Sequence, residues 1–355
     1  MADRNVLDSP GNGGNLPGEE GGKRSVSPSP LSSTPSTSSL VKRDKSFSRR
    51  KVSFMAVVAG AAIYAFIYHQ KFAAVGCGLA GLSIMALYKF QNRLLYFPDI
   101  PPGSRTTFIE PERYKKKNQF EEIYFKAADG VQIQSWLFKR PEPEMSDAVT
   151  ILYFHGNAGN LSHRLENIRD FHRRLKANVM IVSYRGYGRS EGYAHEDGLK
   201  QDAKAALQYL MNRPDIRRDK IVVFGRSLGG AVAIYLASLR LEKNVPAAIV
   251  VENSFTSILD MIDEVFSIIS FAKGLSTNIW DNRNTIKKVA CPVLMLSGLQ
   301  DELVPSWMMQ ELFENIPHKE RKLVTFTHGH HMDVWTIRGY SDYILNFLLL
   351  HMSQT

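Results

Sequence analysis

A serine flanked by glycines is the residue of this sequence best suited to chemistry. It is Ser227, at the centre of the segment GRSLG at positions 225–229. An apolar run at 221–224 precedes this segment, and a helix-forming run of small and apolar residues at 230–239 follows it. This order predicts a tight turn from a strand into a helix, in which glycines avoid collisions between side chains and backbone. The hydroxyl would lie at the positive end of the helix and could act as a nucleophile.

A serine hydroxyl becomes a strong nucleophile only beside a general base, and that base needs a carboxylate to orient it. In folds with this type of turn, the acid and then the histidine follow the serine along the chain. Asp301 comes after a predicted strand and a short turn, and Glu252, after another strand, is the alternative acid. Of three histidines after the last predicted strand, His331 has the expected spacing from a glycine, and His330 is the alternative. The sequence therefore predicts the triad Ser227, Asp301 and His331.

The oxyanion that forms during acyl transfer needs two backbone N–H donors. One is predicted to be the N–H of Leu228, directly after the serine, and the other to lie in the loop HGNAGN at 155–160. Small residues allow that backbone to approach the substrate, and Asn157 is the expected second donor. His155 is expected to be a buried structural residue. The histidines have too few neighbouring ligands for a metal site, and neither a metal nor an organic cofactor is expected.

The elements that must position these residues run from about residue 118 to residue 351. Two β-rich runs joined by a turn at 127–130 predict an opening hairpin, and six further apolar runs alternate with helix-length segments. This pattern predicts an α/β fold with a mixed, mostly parallel eight-stranded sheet and helices on both faces. The predicted strands are 121–126, 131–138, 149–154, 178–183, 221–224, 247–251, 293–297 and 323–326, and the predicted helices are 164–176, 198–212, 228–239, 307–316 and 337–351.

One long segment, residues 255–288, interrupts the alternation of strands and helices. It is rich in apolar and aromatic residues and contains no predicted strand. Such an insertion could cap the site as a lid, or it could be an ordinary long connection packed on the domain.

The chain before the domain falls into three parts. Residues 1–51 are basic and rich in Ser, Pro and Gly, and a segment of this composition is expected to be disordered. Two apolar stretches, 52–68 and 72–88, predict an uncleaved membrane anchor of one or two spans, separated by polar residues at 69–71. Residues 89–117 are expected to form a juxtamembrane linker.

Charge does not settle how the anchor crosses the membrane, because basic residues flank it on both sides. A single span would place the domain away from the cytosol, and a hairpin of two spans would return it to the cytosol. The net charge of +9 beside an apolar anchor fits attraction to anionic lipid. No nucleic-acid motif accompanies this charge, so nucleic-acid binding is not expected. Cys291 is alone in the domain, which excludes a disulfide within it.

Five segments together carry a likeness to a known family. Between about residues 85 and 348 the chain resembles the α/β-hydrolase domain-containing protein 13 and bud-emergence (Bem46-like) serine hydrolases. The segments are LLYFP at 94–98, YFHGNAGN at 153–160, YRGYG at 184–188, FGRSLGGAVA at 224–233 and VEN at 251–253.

The resemblance implies an α/β-hydrolase fold, the Ser227, Asp301 and His331 triad, and one uncleaved anchor just before the domain, matching residues 72–88. It also implies hydrolysis of acyl esters or thioesters, including removal of palmitate from proteins. The chain departs from the family at Met332, where an asparagine usually follows the histidine.

These inferences predict a membrane-anchored serine hydrolase that acts on an acyl ester or acyl thioester through an acyl-serine intermediate. A single-pass type II orientation is favoured, with membrane lipid as its surroundings and the cytosol-facing hairpin as the alternative. Two other functions stay open: a catalytically silent interaction protein that retains the fold, and a peptidase. The intact serine, acid and histidine argue against the first, and the shape of the pocket would test the second.

Overall fold

A computed structural model describes residues 45–241, 245–265 and 267–352 of the chain. The disordered tail predicted for residues 1–51 lies outside the described residues as far as residue 44. Its last part, residues 45–51, is not disordered as predicted but is the start of a long helix that continues into the apolar stretches. Contacts within the chain divide it into two compact units, Met1–Phe72 and Ala73–Thr355. The second unit contains the sheet and all the predicted site residues.

Eight strands form one sheet: β1 (Phe120–Lys126), β2 (Gln132–Phe138), β3 (Thr150–Phe154), β4 (Asn178–Val182), β5 (Ile221–Arg226), β6 (Ala248–Glu252), β7 (Val293–Gly298) and β8 (Arg321–Phe326). Their spatial order is β1-β2-β4-β3-β5-β6-β7-β8. Strand β2 pairs antiparallel with β1 and β4, and every other pair is parallel. The predicted mixed, mostly parallel sheet is therefore confirmed. The carboxyl ends of β3 to β8 meet at one edge, where sites in such sheets form.

The first two strands form the predicted hairpin. In the turn, the Gly130 N–H donates to the Ala127 carbonyl at 2.9 Å. Gly130 has φ +86°, a conformation that costs glycine little because it has no Cβ. The Asp-Gly sequence therefore suits this turn.

Nine helices lie within the described residues: α1 (Lys45–Leu95), α2 (Glu112–Lys115), α3 (Leu165–Arg174), α4 (Glu196–Met211), α5 (Leu228–Ser238), α6 (Ile258–Val265), α7 (Asn282–Thr285), α8 (Ser306–Glu314) and α9 (Tyr340–Met352). Buried side chains form two apolar clusters, one on each face of the sheet. Helices α4, α5 and α8 contribute to one cluster, and α3 and α9 contribute to the other. Helices on both faces explain why the central strands are apolar along their whole length.

Helix α1 contains both apolar stretches without interruption. Its segment Ser53–Leu95, 43 residues long, is apolar and long enough to cross a membrane. Residues 69–71 are helical, so the described chain lacks the turn that the hairpin alternative requires. The reason is that His, Gln and Lys are polar without being helix breakers.

The linker expected at residues 89–117 is largely structured. Helix α1 continues through the first part of this stretch as far as Leu95. Tyr96 and Ser104 beyond it are buried, and Tyr114 in α2 packs against Phe138 with 4.9 Å between ring centroids. The stretch is folded against the domain because its aromatic side chains have apolar surface to cover.

The segment at 255–288 contains no strand. It consists of α6, a 3₁₀ segment (Ser267–Leu275), α7 and a short 3₁₀ turn (Ile286–Lys288). Trp280, within it, is buried in the core cluster that also contains α5.

Candidate active site

Ser227 lies on the sharp turn between β5 and α5. Its backbone has φ +54° and ψ −119°, which is strained for a residue with a side chain. The flanking glycines are needed because a Cβ on Gly225 would lie 2.0 Å from the carbonyl oxygen of Gly229. A Cβ on Gly229 would lie 2.0 Å from the carbonyl oxygen of Phe154. The close packing of three backbone segments thus accounts for the GRSLG sequence.

The structure brings together the three residues of the predicted triad. His331 Nε2 lies 3.1 Å from Ser227 Oγ, and His331 Nδ1 lies 2.8 Å from Asp301 Oδ2. All three side chains are buried. The other carboxylate oxygen of Asp301 accepts hydrogen bonds from the N–H groups of Leu303 at 2.9 Å and Val304 at 2.8 Å. These bonds fix the carboxylate so that it faces the imidazole.

The alternative histidine, His330, lies beside a surface carboxylate. Its side chain is 49% exposed, and its Nδ1 lies 3.4 Å from Glu302 Oε2. Hydrogen bonds from the Glu302 N–H and then from the His331 N–H lower the pKa of the Glu302 carboxyl. Glu302 therefore stays charged at the surface beside His330.

The alternative acid, Glu252, has different partners. Its carboxylate forms a buried ion pair with Arg226, whose Nε lies 2.5 Å from Oε1, and accepts a hydrogen bond from Tyr340 Oη at 2.5 Å. Burial alone would lower the pKa of Arg226, but the charge of Glu252 raises it above its ordinary value. The carboxylate beside His331 is that of Asp301.

Asn253, directly after β6, connects the loops that carry the acid and the base. Its Oδ1 accepts a hydrogen bond from Gly298 N–H at 2.8 Å, and its Nδ2 donates to the carbonyl oxygens of His330 and His331, each at 3.1 Å. Sequence reasoning assigned no role to this residue. Its partners are 45 to 78 positions away, and a single asparagine has no spacing pattern that would reveal them.

The loop predicted to supply the second oxyanion donor packs directly against the serine. A Cβ on Gly156 would lie 3.7 Å from Ser227 Cβ. Tyr187 Oη donates to Asn157 Oδ1 at 2.8 Å, and Phe97 N–H donates to the Asn157 carbonyl at 3.3 Å. Among the described residues, no protein acceptor takes the N–H of Asn157 or of Leu228. Both donors are therefore available to a ligand.

His155 is buried below this loop, as expected for a structural residue. Its Nδ1–H donates to the Gly156 carbonyl at 2.7 Å, and Tyr184 Oη donates to the His155 carbonyl at 2.7 Å. Burial lowers the pKa of His155 to about 3, so its imidazole is neutral at physiological pH. A protonated imidazole at this position would be buried without the hydration that stabilises its charge.

The end of α1 is joined to the chain before α7 by polar side chains. Gln91 Oε1 accepts a hydrogen bond from Thr277 N–H at 2.7 Å. Tyr96 Oη donates to Asn278 Oδ1 at 2.9 Å and accepts from Trp280 Nε1 at 3.0 Å, in a buried cluster. The last turn of the apolar helix is therefore part of the domain's packing.

Proteins with similar sequences align with this chain over most of its length. The protein bem46 of Schizosaccharomyces pombe is 40% identical over 83% of this chain and 97% of its own length. The α/β-hydrolase domain-containing protein WAV2 of Arabidopsis thaliana is 40% identical over 74% of this chain and 88% of its own. The membrane protein YNL320W of Saccharomyces cerevisiae is 34% identical over 76% of this chain and 93% of its own.

The fold has counterparts among solved structures, and a family model for the α/β-hydrolase fold matches residues 149–268. An α/β hydrolase from Vibrio vulnificus aligns with a TM-score of 0.61 at 19% identity, covering 74% of this chain and 94% of that one. The Pyrococcus furiosus esterase Pf2001 aligns with a TM-score of 0.55 at 19% identity, covering 69% and 97%. Identity of 40% with bem46 across nearly its whole length goes beyond likeness of fold, and the chain belongs to the Bem46-like family of α/β hydrolases.

Proposed function

We propose that this protein is a membrane-anchored serine hydrolase that cleaves carboxylic esters or thioesters of acyl chains. The observation that carries the proposal is the hydrogen-bonded series from Asp301 through His331 to Ser227 Oγ. One structural counterpart, Pf2001 of Pyrococcus furiosus, is an esterase, which agrees with this class of reaction. The apolar helix next to the domain favours an acyl chain over a peptide as the group recognised.

In the first half of the reaction, Ser227 Oγ attacks the substrate carbonyl carbon while His331 Nε2 takes the hydroxyl proton. The carbonyl π electrons move to its oxygen, and this oxyanion accepts hydrogen bonds from the N–H groups of Asn157 and Leu228. Asp301 accepts the His331 Nδ1–H and stabilises the imidazolium that forms. The carbonyl then re-forms as the C–O or C–S bond breaks, and the alcohol or thiol leaves with the proton from His331 Nε2.

In the second half, water attacks the acyl-serine while His331 Nε2 takes one of its protons. Collapse of the second tetrahedral intermediate breaks the bond between the acyl carbon and Ser227 Oγ. His331 returns the proton to that oxygen, and the carboxylic acid leaves. Protein side chains and water balance every proton and electron pair, so the proposed reaction needs no cofactor.

We also propose a single-pass type II arrangement, with residues 72–88 as the principal span and the domain away from the cytosol. The uninterrupted helix through residues 69–71 supports a single crossing, and the membrane-protein name of the yeast relative supports membrane association. The test is a glycosylation acceptor added after the last residue and expressed with microsomes. Glycan addition is expected, whereas an unmodified tail that cytosolic protease digests would establish the cytosol-facing hairpin.

The activity is tested on the full-length protein in membranes with a fluorophosphonate probe and a panel of acyl esters and thioesters. Labelling and hydrolysis are both expected, and Ser227→Ala is expected to abolish both. The matched control is Ser146→Ala, which removes the hydroxyl of an exposed serine and should retain both. Labelling that survives in Ser227→Ala would contradict the assignment of the nucleophile.

A further inference from the structure

A cavity of about 410 Å³ lies between the end of α1 and the chain from α6 to the 3₁₀ segment. Its volume is within the range of small-molecule sites, about 300 to 1,000 Å³. The cations Arg93 and Lys273 also border it. Its walls are otherwise mainly apolar, and the apolar side chains are those of Leu87, Leu94, Leu95, Phe97, Ile262 and Leu275.

One wall of the cavity belongs to the helix that can cross a membrane, since Ser53–Leu95 contains Leu87, Leu94 and Leu95. The opposite wall carries unusual exposed apolar surface. In the 3₁₀ segment, Ile268 is 88% exposed and Phe271 is 78% exposed. Apolar side chains beside a membrane helix are typical of a segment that inserts into the lipid interface. Both walls thus indicate a cavity that opens to the bilayer.

The other end of the cavity is next to the loop at 155–160, which packs against Ser227. Phe97, which lines the cavity, pairs through its N–H with the Asn157 carbonyl, and the Leu95 carbonyl accepts a hydrogen bond from Asn157 Nδ2. Gly156, adjacent to Asn157, packs on Ser227. The cavity therefore lies between the helix that can cross a membrane and the residues that hold the loop packed on Ser227.

We propose that this cavity binds one acyl chain of a membrane phospholipid, which enters from the bilayer and presents its ester carbonyl to Ser227. The proposal rests on the proposed function and specifies its substrate class. Arg93 favours a phospholipid because the described residues provide no carboxylate partner for its guanidinium, which leaves it free for a phosphate. Lys273, in contrast, pairs with Asp263.

The first test narrows the cavity in the full-length protein, assayed in lipid nanodiscs with p-nitrophenyl esters of four to sixteen carbons. Leu275→Trp places a larger side chain on the cavity wall. The matched control is Leu241→Trp, since Leu241 lies outside the cavity and is 47% exposed against 43% for Leu275. For Leu275→Trp, the ratio of kcat/KM for the longest ester to that for the shortest should fall by about tenfold or more, because several methylenes lose their contacts. Leu241→Trp should not change this ratio.

The outcomes separate this inference from the proposed function. If Leu275→Trp and Leu241→Trp have the same chain-length ratio while the wild type cleaves esters, the cavity assignment is overturned and the hydrolase remains. If the wild type cleaves no ester and takes no fluorophosphonate, the proposed function itself fails.

The second test detects binding without turnover. Ser227→Ala protein is illuminated in nanodiscs containing phosphatidylglycerol with a diazirine on its acyl chain. Crosslinks at residues 87–97 and 262–276 are expected, and Arg93→Gln should reduce them more than it reduces crosslinking of a diazirine fatty-acid methyl ester, which has no phosphate. Crosslinks confined to residues 53–86 would overturn the site. Crosslinking of an S-palmitoyl peptide but not of the phospholipid would overturn the substrate class.

Discussion

The side chain of Asn253 holds the main chain of His331, with Nδ2 3.1 Å from the His331 carbonyl oxygen. The same side chain accepts the Gly298 N–H, on the strand end that leads to Asp301. One buried amide therefore sets the separation between the loop of Asp301 and the loop of His331, although its hydrogen bonds are to main-chain atoms only.

Asn253→Asp should lower kcat by about 10-fold to 100-fold with a smaller change in KM, because a carboxylate cannot donate to the His331 carbonyl and small displacements of a base are costly. The pH profile of kcat/KM should shift as well, which a general loss of stability would not cause. Asn118→Asp is the matched control, since Asn118 is exposed and has φ +53° against +46° for Asn253. A kcat equal to that of the control would contradict the positioning role.

The strain in the Ser227 backbone should lower the stability of the protein by a measurable amount. Its φ of +54° costs a residue with a Cβ about 1 to 3 kcal/mol, and glycine adopts it with little strain. Ser227→Gly and Ser227→Ala should both be inactive, but the glycine variant should unfold at a Tm a few degrees higher. Calorimetry of the two variants makes the comparison, and a lower Tm for Ser227→Gly would show that the turn is not strained.

Substitution of Asp301 should lower turnover, whereas substitution of Glu252 should lower stability. Asp301→Asn should lower kcat by about 10⁴-fold with the fold retained, because His331 loses the acceptor that orients its ring. Glu252→Gln should reduce the free energy of unfolding by about 3 kcal/mol, because it leaves the charge of Arg226 buried without a partner. Urea unfolding and ester turnover separate the two. If Glu252→Gln is stable but inactive, Glu252 rather than Asp301 would be the acid needed for turnover.

The clustered histidines should differ greatly in importance. His331→Ala should lower turnover by several orders of magnitude, because the base acts as a unit with the serine. His330→Ala and His328→Ala remove exposed rings and should have mild effects. Ester turnover by the three variants makes the test. If His330→Ala is the most damaging variant, the base has been assigned one position too late.

Acid should destabilise the domain through His155. Its pKa is about 3 when folded and about 6.5 when unfolded, so the unfolded chain binds the extra proton between these values. The stability that depends on neutral His155 is complete above pH ~6.5 and is lost as the pH falls towards 3. His155→Gln keeps a donor for the Gly156 carbonyl and should make the fall of Tm between pH ~6.5 and ~4.5 shallower. His328→Gln, at an exposed ring, should leave that slope unchanged.

The strands were predictable because burial on both faces leaves continuous apolar runs. The stretch predicted at 178–183 is strand Asn178–Val182, and that predicted at 293–297 is Val293–Gly298. The sharp turn between β5 and α5 was predictable for a related reason, since the crowding around Gly225 and Gly229 excludes side chains there. Both requirements are local, so they determine which residue types occur at neighbouring positions in the sequence.

Long-range polar contacts were not predictable in the same way. Asn253 is hydrogen-bonded to two loops, and Tyr96 donates to Asn278 and accepts from Trp280. These bonds join positions far apart in the chain. Each uses a common polar residue with no periodic pattern. The sequence left one or two spans open at residues 69–71, because polar residues alone do not distinguish a turn from a continuous helix; the segment is helical and contains no helix breaker.

The bonds that Leu95 and Phe97 make with Asn157 determine which positions of chain cleavage leave the loop at 155–160 supported. A soluble form that begins near residue 118, where the strands start, would keep Ser227 and His331 but lose these bonds to Asn157, the proposed oxyanion donor. The same damage would follow if a protease shed the domain from the membrane by cleaving after Phe97. Cleavage before Gln91 would preserve these bonds, so under the proposed function the position of the cut decides whether the released domain keeps or loses its activity.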